Sequence, residues 1–338
     1  MKPKGHIFIP KSKLGVLMVN LGTPEKTDYV SMWSYLREFL SDKRIIEVSR
    51  FIWFPILYLI ILIFRPRKSG RLYDKIWDMK KNQSPLKVYT KKIAEKLNKI
   101  YKNKNTIVTF AMNYGYPKIK VEMDKLKNKG CERILIFPMY PQYSATTVAS
   151  VVDKVFDYLK IKRWQPTIRI VPPYYDDENY IFALMESIDK EIKKSKKKLT
   201  TILCSFHGIP KKYFFKGDPY HCHCAKTVRL LNEKFKKKKV NFDMSFQSRF
   251  GPQEWLKPYM NEKMDEILSH GKTQLTIIAP GFSVDCLETL EEIKIQGEED
   301  FIEKGGKDFY YIECLNDSKA AIKMYKNIIN RELKGWLN

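Results

Sequence analysis

The stretch TILCSFHGIP, residues 201–210, decides the fold class. Its first six residues are mostly apolar and include β-branched side chains, which predicts a short buried strand. His207 then precedes Gly208 and Pro210, two residues that force a turn. In open α/β sheets ligands bind at the carboxyl ends of strands, so His207 is a candidate for a ligand-binding rim, with a purely structural histidine as the alternative.

Seven more short apolar runs resemble this one, and amphipathic stretches lie between most of them. The predicted strands are residues 14–20, 106–111, 133–137, 167–171, 201–206, 242–247, 275–279 and 309–313. The main predicted helices are residues 32–40, 88–101, 149–159, 180–193, 288–303 and 318–336. This alternation indicates an α/β fold with parallel sheets that are flanked by helices.

Eight strands fit one barrel, one large sheet or two four-stranded domains, and we predict the last. A break near residues 160–167, which contains Trp164 and Pro166, is taken as the boundary. The expected domains are residues 1–162 and 163–316, followed by a closing C-terminal helix over residues 317–338.

The composition describes a globular, strongly basic chain. Its 338 residues are 44% hydrophobic, which excludes disorder as the main state. The net charge of +24 favours an anionic partner, such as nucleic acid, an acidic membrane surface or an anionic small molecule. The lysine runs at residues 190–198 and 234–239 lack any nucleic-acid-binding motif and are interpreted as solvated surface, so no nucleic-acid partner is predicted.

Residues 51–64, FIWFPILYLIILIF, form an uncharged apolar segment that a basic cluster follows. As a helix of 14 residues it would be about 21 Å long, which is too short for a hydrocarbon core of about 30 Å. The sequence therefore predicts a segment that dips into one leaflet, with an internal core helix as the alternative. The N-terminus has no apolar signal segment, so we expect a cytoplasmic protein on the inner membrane surface.

A second strand end, at residues 280–292, carries several carboxylates. Asp285, Glu288 and Glu292 are spaced i, i+3 and i+7, which would place them on one face of an α-helix. Three adjacent carboxylates repel one another unless a cation or a proton is present, so this row could bind a divalent cation or pass protons. An acidic first turn of an ordinary surface helix is the alternative.

Two further loops at strand ends have the composition of a ligand site. Tyr140, Tyr143 and Ser144 belong to an aromatic, hydroxyl-rich cluster that suits a flat apolar ligand with polar edges. Arg249 follows another strand and could pair with a carboxylate. Either loop could instead be ordinary packed structure.

The six cysteines are too scattered for a disulfide framework, which suggests reduced thiols. Cys222 and Cys224 alternate with histidines in the run HCHC, but zinc and iron–sulfur sites need wider spacing and further ligands. We therefore expect no tightly bound cofactor, with Cys222 and Cys224 as the only weak candidates for a cluster.

Long motifs in conserved order along nearly the whole chain resemble the ferrochelatases, which insert ferrous iron into protoporphyrin IX. The matching stretches are VNLGTP (19–24), LREFLSD (36–42), SPL (84–86), YPQYS (140–144), SFHGIP (205–210), GDPY (217–220), FQSR (246–249) and residues 280–292. The run DCLETLEE (285–292) is similar to the proteobacterial branch, with Cys286 where many eukaryotic members have histidine.

This resemblance implies two Rossmann-like lobes with a porphyrin cleft between them. It implies that His207 and Glu288 are the catalytic residues and transient contacts of Fe²⁺, with Asp285 assisting Glu288 and Glu292 on an acidic path. The expected porphyrin contacts are Tyr140, Tyr143, Ser144, Phe282 and Arg249, with Arg37 and Arg44 as further candidates for the propionates.

Other functions remain open at this stage. The nearest is a coproporphyrin III ferrochelatase, although the apolar segment favours the apolar protoporphyrin. A cobalt chelatase acting on sirohydrochlorin would usually carry a pair of histidines. A haem- or membrane-binding protein without turnover is an alternative from another class. The expected partners are protoporphyrin IX, Fe²⁺ and a membrane surface, and the expected state is a monomer or homodimer.

Overall fold

The structure, a computed structural model, describes residue 5, residues 12–194 and residues 201–337. The lysine run at residues 190–198 lies partly outside the described residues. Within these residues there are eight strands: β1 (Lys13–Thr23), β2 (Thr106–Gly115), β3 (Cys131–Pro138), β4 (Thr167–Ile170), β5 (Thr201–His207), β6 (Asn241–Gln247), β7 (Gln274–Ile278) and β8 (Asp308–Ile312). All eight predicted strands are confirmed, with shifts only at their ends.

Helices connect the strands. The α-helices are α1 (Tyr29–Leu40), α2 (Arg50–Ile56), α3 (Leu62–Asp74), α4 (Pro85–Tyr101), α5 (Ile119–Asn128), α6 (Ser150–Lys160), α7 (Glu178–Lys194), α8 (Lys211–Phe215), α9 (Tyr220–Phe235), α10 (Met260–Ser269), α11 (Gly297–Glu303) and α12 (Lys319–Glu332). Three π-helical segments interrupt this pattern, at Leu57–Ile61, Ala145–Ala149 and Glu288–Gln296. The last of these is called the site π-helix below.

The strands form two four-stranded parallel sheets with the same internal order. The first sheet is ordered β2-β1-β3-β4 and the second β6-β5-β7-β8, so the second lobe repeats the topology of the first. The predicted α/β architecture with two four-stranded lobes is therefore confirmed. In both sheets the carboxyl ends of the strands are the edge at which ligands bind in such folds.

The predicted boundary after residue 162 does not coincide with the division between the sheets. Strand β4 begins at Thr167, and Arg133 to Ile136 of β3 pair with Thr167 to Ile170 in the first sheet. The change of sheet therefore comes between β4 and β5. The break in the sequence near Trp164 and Pro166 is only the loop that leads into the last strand of the first sheet.

One apolar core extends through both lobes, and each lobe also has a smaller core of its own. Its buried side chains include Val16 of β1, Phe137 of β3 and Phe206 of β5. Helix α12 completes this core: the ring of Tyr325 lies 5.4 Å from that of Phe137. The Tyr101 hydroxyl of α4 also donates to Asn330 Oδ1 of α12, at 2.8 Å. The closing helix thus joins the lobes.

The apolar segment at residues 51–64, called the lip, folds as helix α2, a π-helical turn and the start of α3. One side of it packs on a separate group of buried residues, the lip cluster, which consists of Met32, Tyr35, Leu36, Leu40, Trp53, Leu57, Leu62, Tyr73, Trp77 and Tyr114. Its other side is exposed, with Phe51 at 94% and Phe64 at 70%. Among the residues described, no helix is long and apolar enough to cross a membrane.

Candidate active site

His207 is the last residue of β5, at the carboxyl edge of the second sheet. Its Nδ1 lies 2.6 Å from the carbonyl oxygen of Gly208. Because a carbonyl oxygen can only accept, Nδ1 must carry the hydrogen, and in the neutral ring Nε2 then keeps a free lone pair. Trp255 lies beside the imidazole, with 6.4 Å between the ring centroids. The local geometry therefore prepares Nε2 to accept a proton.

The site π-helix presents Glu288 and Glu292 next to this strand edge. Gln247, which pairs with His207 in the sheet, donates its side-chain N–H to the backbone carbonyl of Glu288 at 2.8 Å. Ser248 donates its backbone N–H to Glu292 at 2.8 Å. Its φ of +64° places it in the left-handed region that non-glycine residues seldom adopt, so this donor is held in an unusual backbone conformation.

The Glu292 carboxyl is mostly buried, and this burial raises its pKa above the ordinary 4.5. Hydrogen bonds from Ser248 and the charge of His207 oppose that shift, whereas the charge of Glu288 adds to it. Glu288, Glu292 and His207 therefore form one electrostatically linked group. A carboxyl with a raised pKa can hold and release a proton closer to neutral pH.

Asp285 does not share a helix face with the two glutamates, so this prediction is wrong. The site π-helix begins only at Glu288, and Asp285 lies in the turn before it, buried at 2% exposure. Four groups donate to its carboxylate: the Tyr311 hydroxyl at 2.7 Å, Thr289 Oγ1 at 3.0 Å, Asn316 Nδ2 at 2.6 Å and Cys314 N at 3.4 Å. The spacing argument assumed a regular α-helix. The structure instead uses Asp285 to fix the turn from which the π-helix starts.

The charge of Glu288 acts on three tyrosine side chains of the first lobe. Burial, with a smaller contribution from the Glu288 charge, raises the pKa values of Tyr35, Tyr73 and Tyr140. The Tyr140 hydroxyl is buried and has no hydrogen-bond partner among the described residues. The charge of Glu288 therefore acts on this unpartnered phenol of the first lobe.

The predicted cluster after β3 divides into two parts. Tyr140 is the residue on which the Glu288 charge acts, as described. Tyr143 donates its backbone N–H to His223 Nδ1 of α9 at 3.1 Å. Ser144, by contrast, is buried at 1% exposure and donates to Asp218 of the second lobe at 2.9 Å. Its hydroxyl is therefore used in a contact between the lobes.

The other predicted porphyrin contacts lie around the same edge. Phe282, in the turn after β7, is partly buried against the cores of the second lobe. Arg249 is exposed, with its guanidinium over the ring of Tyr259 at 5.1 Å. Arg44 forms a two-point ion pair with Asp153, at 2.7 and 3.2 Å, which occupies its guanidinium.

The side chains of the HCHC run contact different neighbours. His221 stacks on Phe246, whereas His223 stacks on Tyr175 at 3.7 Å between centroids. Cys222 is exposed, whereas Cys224 is fully buried. In the described part of the chain, no three His, Cys, Asp or Glu side chains have the arrangement needed to hold a metal ion.

Several residues of this region were not found as functional candidates from the sequence. They are Tyr35, Tyr73, Gln247, Ser248 and Trp255. Gln247 and Ser248 could have been found, because they lie in the FQSR motif that supplied Arg249. The two tyrosines could not, because only the folded first lobe brings α1 and α3 to the site π-helix.

Comparisons with solved structures identify the fold. SirB from Bacillus subtilis with Fe³⁺ aligns with a TM-score of 0.55 at 10% identity, covering 96% of this chain and 99% of that chain. CbiX, described as the terminal enzyme for biosynthesis of siroheme in denitrifying bacteria, aligns with a TM-score of 0.51 at 11% identity, covering 94% and 98%. The chain therefore has the two-lobed fold of the metal chelatases.

Comparisons of sequence identify the family. A family model described as Ferrochelatase matches residues 13–333. A ferrochelatase of Rhizobium etli (strain CIAT 652) is 48% identical over 338 residues, covering 100% of this chain and 98% of the relative. One of Brucella anthropi is 50% identical over 326 residues, covering 96% and 93%. The chain belongs to the ferrochelatase family, lyases that insert ferrous iron into a porphyrin.

Proposed function

We propose that this chain metallates protoporphyrin IX, with His207 and Glu288 as the catalytic residues. The observation that carries this proposal is the grouping of His207, Glu288 and Glu292 at the junction of the two lobes. Insertion of Fe²⁺ releases two protons from the pyrrole nitrogens, so the site needs groups that accept protons at the ring. The free lone pair of His207 Nε2 supplies one such acceptor.

Glu288 supplies the second group. Its charge acts on the buried Tyr73 and on the buried hydroxyl of Tyr140, both in the first lobe. It can therefore take the second proton or contact the entering Fe²⁺, which is a substrate here. Glu292, with its raised pKa, then passes protons away from Glu288, and Asp285 positions the helix that carries both glutamates.

The porphyrin is proposed to lie between the lobes, against Tyr140, Tyr143 and Phe282. Arg249, exposed at the strand edge, is the proposed partner of a propionate. Ser144 is left out of this contact set because its hydroxyl binds Asp218. No tightly bound cofactor takes part in the proposed reaction.

We also propose that the lip rests on a membrane, which supplies the apolar ring. The supporting observation is its exposed apolar side, from Phe51 to Phe64, followed by exposed Arg67 and Lys68. An apolar surface of this kind suits delivery of protoporphyrin more than that of coproporphyrin III, which is tetra-acidic and more soluble.

The test is the anaerobic loss of protoporphyrin IX fluorescence on addition of Fe²⁺, with the purified protein in detergent. We expect turnover in wild type and a loss of about 100-fold or more in His207→Ala and Glu288→Gln, since a positioned proton acceptor contributes about 10²–10⁴-fold. His270→Ala, at the residue that follows α10, is the matched histidine control. Turnover with coproporphyrin III but not with protoporphyrin IX would refute the proposed substrate. Full activity in either site variant would refute the catalytic role of the residue that was changed.

A further inference from the structure

An ion pair joins the site π-helix to the helices of the lip. Lys75, the residue that ends α3, places its Nζ 2.9 Å from Glu291 Oε1. The Glu291 side chain is only 4% exposed, whereas that of Lys75 is 46% exposed. A carboxylate so deeply buried depends on its partner, because an unpaired buried charge is costly.

A second contact lies one turn earlier. Leu287, directly before the site π-helix, packs against the lip cluster. Glu288 therefore lies between two residues that both touch the first lobe, and its charge reaches Tyr35 and Tyr73 of the same cluster. Glu292, by contrast, is held from the second lobe by Gln247 and Ser248.

The helix that carries these residues needs such support. A nine-residue π-helix is unusual in length, since π-helical geometry mostly occurs as single turns within α-helices. Its own backbone hydrogen bonds are thus a weak determinant of where Glu288 lies. The contacts on its two sides fix that position.

We propose that Lys75 and Glu291 are positioning residues for metal insertion: their ion pair holds the site π-helix against the lip and so sets the place of Glu288 at the porphyrin. This inference rests on the proposed role of Glu288. Because α3 continues directly from the lip, a shift of the lip would move Lys75. The ion pair with Glu291 would then change the position of the catalytic carboxylate of Glu288.

The test uses Zn²⁺ as the probe metal and follows insertion into protoporphyrin IX by fluorescence in a single turnover. We expect Lys75→Met to slow insertion about 10-fold and Lys75→Glu about 100-fold, since a misplacement of about 1 Å costs up to about 10² in rate. The reversed pair, Lys75→Glu with Glu291→Lys, should recover most of the rate. In a separate multiple-turnover assay, KM for the porphyrin should stay close to that of wild type, because neither residue is proposed to touch the ring.

The control is Lys96→Met. Lys96 is 47% exposed and also forms an ion pair between the lobes, with Asp317 at 2.5 Å, but it is not on the lip or the site π-helix. Wild-type insertion rates in Lys75→Met and Lys75→Glu would overturn the inference, and so would an equal loss of rate in Lys96→Met. The inference would also fail if the reversed pair did not recover the rate although its melting temperature matched that of wild type. Glu288→Gln is measured in parallel: if it retains full rate, the proposed catalytic role of Glu288 fails, and if it alone is slow, only this inference fails.

Discussion

Replacing Asp285 by asparagine should destabilise the protein far more than it alters the chemistry. The carboxylate is buried, and its Oδ1 accepts from Tyr311, Thr289 and the backbone of Cys314, whereas its Oδ2 accepts from Asn316. Asparagine offers one oxygen and one NH₂ group. With its oxygen in the Oδ1 position, its NH₂ group must face the NH₂ group of Asn316.

The size of the effect follows from these four contacts. A hydrogen bond to a charged group contributes about 1.5–3 kcal/mol, and here one is lost while three become neutral. We therefore expect a loss of about 3 kcal/mol in the free energy of unfolding. At about 2 °C per kcal/mol for a large domain, the melting temperature should fall by about 6 °C.

The assay is thermal unfolding by circular dichroism beside porphyrin metallation at a temperature where both proteins are folded. Tyr311→Phe, which removes one donor and leaves the carboxylate, is the matched variant and should lose about half as much, roughly 1.5 kcal/mol. If Asp285→Asn melts within a degree of wild type but loses activity 100-fold, Asp285 acts on the reacting groups, and its assignment as a positioning residue is wrong.

Two further predictions concern the lip and the acidic path. Changing exposed Phe51, Leu59 and Phe64 to serine should release the protein from anionic vesicles in a sedimentation assay without lowering its melting temperature, because these side chains contribute little to the core. Exposed Phe182 of the second lobe, changed to serine, is the control, and unchanged vesicle binding of the triple variant would contradict the membrane proposal. Because the folded pKa of Glu292 is raised, its neutral form favours folding below pH 4.5, and this stability is lost as the pH rises through the folded pKa. Glu292→Gln, which stays neutral, should therefore gain melting temperature relative to wild type as the pH rises above 4.5, and a constant difference would refute the raised pKa.

The strands were predictable because each is a short apolar run that a turn follows. Residues 201–206 show this most clearly: buried side chains on both faces are typical of a parallel strand, and the following His207 marks its end. The same reasoning found β4 but misplaced the domain boundary beside it. Which sheet a strand joins depends on long-range pairing, here with β3, and the local sequence does not contain that pairing.

The site was predictable residue by residue but not in its geometry. The predicted edge does carry His207, Glu288 and Glu292. The side chains of Asp285 and Ser144, by contrast, form hydrogen bonds with neighbouring segments. The helical spacing argument failed because the site π-helix begins only at Glu288, so that Asp285 lies in the turn before it. Likewise, the lip has apolar residues on both sides, so its sequence could not show which of them pack inward.

The continuous core across the two lobes has a consequence for how a ring can enter and leave. Because Val16, Phe137, Phe206 and Tyr325 pack in one apolar interior, swinging the sheets apart would expose that interior to water. Hinge opening between the lobes is thereby disfavoured. The lip cluster is a separate packing unit, so it can shift without breaking this interior. Entry and release of the ring should accordingly depend on local rearrangement of residues 51–74. Backbone hydrogen exchange should therefore be faster in these residues than in either sheet.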